Sequence, residues 1–120
     1  MTENQYILCV ADHRHYKGID TLLKAMKLLL ASDRSVRLIL AGDGPLRSQL
    51  EILALSLGIR NQTLFLGRQE PLDIARLLHG CDIFVLPSRT ESFGIAVAEA
   101  MVCKKPIVAA AVGGSGDYRT

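Results

Sequence analysis

The chain has 120 residues, 49 % of them apolar and 22 % charged, with a formal net charge of +2. This is ordinary composition for a folded protein with one real core, and it excludes disorder. The longest apolar runs, such as residues 83–87 and 107–112, are far too short to span a bilayer. The polar start at residues 1–6 has no signal-peptide pattern, and no segment is basic and aromatic enough for nucleic acid.

Residues 6–11 form a continuous apolar run, the pattern of a strand buried on both faces. Residues 20–31 then place Leu22, Met26, Leu29 and Leu30 on one face of a predicted helix. A second buried strand is predicted over residues 36–41, followed by the tight turn Gly42-Asp43-Gly44-Pro45. Pro45 suits the first position of a helix striped by Leu46, Leu50, Leu53 and Leu57, and Gly58 suits its end. Residues 63–66 give a short third strand closed by Gly67. Pro71 opens a third helix striped by Ile74, Leu77 and Leu78. A fourth strand over 81–86, a fourth helix over 94–103 and a fifth strand over 106–110 complete the alternation, and a glycine-rich turn covers 113–117. No repeat or linker divides the chain, so residues 1–120 read as one domain.

Apolar strands alternating with helices imply an α/β fold: a doubly wound parallel sheet of about five strands, Rossmann-like, covered by helices. In such sheets a ligand sits beyond the carboxyl ends of the strands. Those ends fall at residues 11–17, 42–45, 67–69, 87–94 and 111–117, which hold nearly every residue able to do chemistry.

Gly42-Asp43-Gly44-Pro45-Leu46-Arg47 begins like a dinucleotide fingerprint, but Arg47 stands where the third glycine belongs, so a plain turn competes with a ligand-lining loop. Arg14 and Lys17 can neutralise a phosphate, or can belong to a solvated basic loop. Residues 87–94 run from a strand into a helix near Gly94. A helix start offers unpaired N–H groups to an anion, and Glu91 can accept hydrogen bonds from sugar hydroxyls. Glu99 lies eight residues after Glu91 in a small apolar run, so it either returns to the same face or points to solvent. Cys9, Cys81 and Cys103 are odd in number and form no Cys-x-x-Cys pair, which fits buried free thiols in a reducing compartment and so a cytoplasmic protein. His13 and His15 have no Asp, Glu or Cys at helical spacing nearby, so no metal site is expected.

The run Pro87-Ser88-Arg89-Thr90-Glu91-Ser92-Phe93-Gly94-Ile95, continued by Glu99-Ala100-Met101, resembles the Glu-x7-Glu segment of the retaining, group 1 glycosyltransferases of GT-B architecture. Lys17-Gly18-Ile19-Asp20, Leu40-Ala41-Gly42-Asp43-Gly44-Pro45, Phe65-Leu66-Gly67, Cys81-Asp82-Ile83-Phe84-Val85-Leu86, Lys105-Pro106-Ile107-Val108-Ala109 and Val112-Gly113-Gly114 match in order, so the resemblance covers residues 6–117. It implies the C-terminal, donor-binding half of a GT-B enzyme that transfers a sugar from a nucleotide diphosphate to an acceptor hydroxyl. Glu91 would hold donor-sugar hydroxyls, with Ser92 beside it. Backbone N–H groups at Phe93, Gly94 and Ile95 would hold the distal phosphate, and Glu99 the ribose. Lys17 would neutralise the diphosphate, making Glu91 and Lys17 the residues closest to catalysis. Gly67, Arg68 and Gln69 would cradle the base, while Gly113 and Gly114 line the phosphate floor. The resemblance implies no cofactor or metal, and leaves room for peripheral attachment of the full-length enzyme to the inner face of a membrane.

Two departures qualify the match. The family has Gly-Arg where this chain has Ala11-Asp12, so Arg14 is expected to supply the missing cation. The family's domain also runs on past Gly-Gly-x-x-Glu through another strand and helices, and is faced by an N-terminal acceptor domain. Here Asp117 stands in the glutamate's place and the sequence stops at Thr120. The expectations are therefore an incomplete domain, no turnover by the chain alone, and self-association through an uncovered edge at the fifth strand. The alternative is a non-catalytic nucleotide-sugar-binding or interaction module. A sugar-nucleotide epimerase shares the architecture, but the segment from Ser88 to Glu99 speaks against it.

Overall fold

The apolar run at the start of the chain forms strand β1 (Tyr6–Val10) in a computed structural model, which describes residues 6–10, 16–86, 102 and 104–109. Helix α1 (Tyr16–Ser32) leads to β2 (Arg37–Ala41), α2 (Arg47–Ser56), a single 3-10 turn (Arg60–Gln62) and β3 (Thr63–Gly67). Helix α3 (Pro71–Gly80), β4 (Ile83–Leu86) and β5 (Ile107–Ala109) follow. The predicted helix over 94–103 lies outside the described residues except for Val102.

The five strands make one parallel sheet in the order β3-β2-β1-β4-β5. The chain winds outward from β1 through β2 to β3, then returns to the other side of β1 and winds outward again. All carboxyl ends therefore share one edge, and the winding reverses between β1 and β4.

The sheet is covered on both faces, which is why its strands are apolar throughout. Ile7, Cys9, Leu38, Leu40, Phe65 and Val85 pack against Ile19, Leu23, Met26 and Leu30 of α1 and Leu50 and Ala54 of α2. Leu8, Val10, Ala41 and Phe84 face the opposite way, toward Leu78 of α3 and Cys81. Alternate residues of β1 thus feed two separate cores, as the period of an extended chain requires.

Three local expectations need correction. Helix α1 starts at Tyr16, four residues before the predicted start, and buries Ile19, Leu23, Met26 and Leu30, while Leu29 is exposed and Leu22 only partly buried. The segment has more leucines than one face needs, so its periodicity fits two phases. Pro45 does not open α2. It sits second in a turn closed by the Arg47 N–H donating to the Gly44 carbonyl at 3.1 Å, and the helix begins at Arg47. The end of α2 is as expected: Gly58 has φ +78°, and the Gly58 and Ile59 N–H groups donate back to the Leu55 and Ala54 carbonyls. Finally, Cys81 follows α3 as an extended linker, and β4 begins only at Ile83. Asp82 intervenes, its N–H donating to the Tyr6 carbonyl and its carboxylate accepting from the Tyr6 N–H, both at 2.9 Å.

Candidate site at the carboxyl edge of the sheet

The winding reversal fixes where a cleft belongs. Strands β1 and β4 pair in register through Cys9 and Val85 and end side by side. Residues 11–17 follow one and residues 87–95 follow the other. Lys17 falls in the first turn of α1, the helix that leaves β1. Arg14, Glu91, Ser92, Phe93, Gly94, Ile95, Glu99, Gly113 and Gly114 lie outside the described residues.

The loops after β2 and β3 are described, and they are locked together. The pairing of β2 with β3 shifts after Leu40, so that Ala41 opposes Gly67 and Leu66 is the extra residue. The Gly42 N–H then donates to the Gly67 carbonyl at 2.8 Å. Gly67 has φ +81°, a left-handed backbone that side chains disfavour. The chain therefore turns sharply as it leaves β3. Arg68 next to it is exposed, and the Gln69 side-chain amide folds back to donate to the Arg68 carbonyl at 3.2 Å and, at 3.4 Å, to that of Leu66. Of the expected base-cradling residues, Gly67, Arg68 and Gln69 thus stand at the edge where a ligand belongs.

Arg47 was the feature that sequence reasoning passed over as a missing glycine. Its guanidinium donates through Nε to Glu51 at 2.8 Å, through Nη1 to Asp43 at 3.3 Å and through Nη2 to the Phe65 carbonyl at 3.1 Å. Asp43 in turn accepts the Gly44 N–H at 2.8 Å, which fixes the loop that carries it. The hydrogen bond to Glu51 and then the charge of Asp43 hold Arg47 in its cationic form more firmly than usual. The spacing of Asp43, Arg47 and Glu51, four residues apart each time, was the available signal.

Elsewhere, Cys9 and Cys81 are buried thiols, and burial raises the Cys9 thiol pKa far above its ordinary range. The Cys81 thiol points at the Leu78 carbonyl, 3.3 Å away. Cys103, His13 and His15 lie outside the described residues, and His79 is exposed at the end of α3. Among the described residues, no group of three His, Cys, Asp or Glu side chains is arranged to hold a metal ion. No helix among them is long and apolar enough to cross a membrane.

A sequence model of the family described as glycosyl transferases group 1 matches residues 1–119. The D-inositol 3-phosphate glycosyltransferase of Mycobacterium marinum is 39 % identical over 118 residues, which takes in 93 % of this chain and 24 % of that protein. Among solved structures, WaaG, a glycosyltransferase involved in lipopolysaccharide biosynthesis, superposes with a TM-score of 0.75 at 29 % identity, over 94 % of this chain and 30 % of its own. Anabaena HepE, solved with UDP and glucose, superposes with a TM-score of 0.69 at 31 % identity, over 92 % of this chain and 30 % of its own. The chain therefore spans about a quarter of the length of the curated relatives it matches.

Proposed function

This chain belongs to the group 1 glycosyl transferases, and on that premise we propose that it binds the nucleotide-diphosphate sugar of a retaining enzyme that glycosylates an acceptor hydroxyl. One observation carries the reading: the winding reversal between β1 and β4. The segments that follow these two strands in sequence hold Arg14 and Lys17 on one side and Glu91 to Ile95 on the other. Doubly wound sheets bind ligands in the crevice at such a reversal, and this reading assigns the cations and the carboxylate of the two segments to it. The presence of UDP and glucose in the structure of Anabaena HepE supports the same ligand class.

In this proposal Lys17 and Arg14 offset the charge of the diphosphate. Backbone N–H groups at Phe93, Gly94 and Ile95 take the distal phosphate, with Ser92, Gly113 and Gly114 assigned to the same site. Glu91 accepts hydrogen bonds from sugar hydroxyls, Glu99 from the ribose, and Gly67, Arg68 and Gln69 meet the base. The bond from the anomeric carbon to the phosphate oxygen breaks and its electron pair leaves with the diphosphate. The acceptor oxygen bonds the same carbon from the same face and gives up its proton to the departing phosphate oxygen. Negative charge grows on the departing phosphate, so Lys17 stabilises the transition state more than the ground state. The proposal assigns no metal and no cofactor. It places the acceptor on a facing domain, so the chain alone is expected to bind donor without transferring it. It includes a cytoplasmic setting, supported by the buried thiols of Cys9 and Cys81. Self-association across the β5 edge is also part of it: a dimer is expected in sedimentation, and a monomer at every concentration removes that part.

The deciding experiment is a thermal-shift panel of UDP-, GDP- and ADP-sugars. At a hundred times its dissociation constant, a bound donor adds about 2.7 kcal/mol of stability. One nucleotide class should raise the melting temperature, and Lys17→Ala should abolish most of that rise. A flat response to the whole panel overturns the proposal.

A further inference from the structure

We infer that Arg47 is a positioning residue for nucleotide recognition, acting through the backbone of β3 to set how residues 67–69 leave the sheet. The inference rests on the reading above, in which that loop meets the base. Asp43 and Glu51 grip the guanidinium from one turn before and one turn after it. They aim its third contact, at 3.1 Å, on the Phe65 carbonyl, a backbone atom of the strand that ends in the loop. The same group lies under Gly67: a Cβ placed on that glycine would stand 3.1 Å from Nη1. With the Gly42 N–H holding the Gly67 carbonyl, the direction of the exit is set from two sides. Three separate nitrogens of one planar fork reach the two carboxylates and the carbonyl, a spread that the single nitrogen of a lysine does not reproduce. A loop held in place beforehand has less freedom to lose when a base docks on it. None of these contacts takes Arg47 itself to the ligand, so its effect should fall on the part of the ligand that residues 67–69 touch.

The test compares wild type with Arg47→Ala, Arg47→Lys and Ile59→Val. Each is titrated with UDP, GDP, ADP and inorganic pyrophosphate at a temperature where circular dichroism shows it folded. For the nucleotide that wild type prefers, both Arg47 variants should bind about tenfold more weakly or worse, with pyrophosphate affinity unchanged. Ile59→Val, a buried position past the far end of α2, should lower the melting temperature and leave both affinities alone. If Arg47→Ala does not fold, Arg47→Lys carries the same comparison. Equal losses for nucleotide and pyrophosphate, or no loss in either, overturn the inference and leave the donor-binding reading standing. Wild type that binds none of the four removes that reading and this inference together.

Discussion

Gly58 and Gly67 share a left-handed backbone, with φ +78° and +81°, yet their surroundings differ. A Cβ at Gly58 meets nothing within 4 Å, whereas one at Gly67 meets Arg47. Gly58→Ala should therefore cost only the backbone strain, about 1–2 kcal/mol. Gly67→Ala should cost more, because it also displaces the guanidinium, and the two urea midpoints should rank in that order. A second residue-scale expectation concerns pH. Asp33 accepts hydrogen bonds from the backbone N–H and the hydroxyl of Ser35, at 3.1 and 2.7 Å, which lower its pKa. A carboxylate lowered in the folded state stabilises the fold above its unfolded pKa, and that contribution disappears as pH falls through the folded value. The loss should therefore lie at and below about pH 4. Asp33→Asn should flatten this part of the curve of urea midpoint against pH, by a small amount since the group is exposed. An unchanged curve would mean that the turn it closes adds no stability.

At the scale of elements, type and order were legible in the sequence because each strand is a short apolar run and each helix carries an apolar stripe. Phase was harder. The leucine-rich stretch of α1 supports more than one stripe, and only the sheet it packs against decides that Leu23 is buried and Leu28 is 77 % exposed. Leu23→Ala should cost about 2–5 kcal/mol, the range for truncation in a packed core, and Leu28→Ala less than about 0.5 kcal/mol. Near-equal effects in chemical denaturation would contradict the phase found here. Boundaries failed where side chains compete with the backbone pattern. Asp82 takes up the Tyr6 N–H and delays β4, and a turn around Pro45 delays α2.

At the scale of the whole molecule, strand order was the quantity that periodicity could not supply. Parallel winding narrowed it, and the sheet shows that the chain reverses at β1. The candidate site was legible only in part. Glycines and charges at strand ends marked the edge, and the motif resemblance supplied roles. The lock between the β2 and β3 loops was missed because it depends on a carbonyl of Phe65, 18 residues from Arg47, and a backbone acceptor leaves no mark in a sequence.

The central place of β1 also bears on how the chain is made. Residue Tyr6 leaves the ribosome before its partner Asp82, which follows 76 residues later. Until then β1 can pair only with β2, and its other edge has no partner within the chain. Synthesis at about 5–20 residues per second leaves that apolar edge open for seconds, long enough for a neighbouring nascent chain to dock there. Slowing translation between α1 and β4 should lengthen this window and lower soluble yield without changing the finished fold.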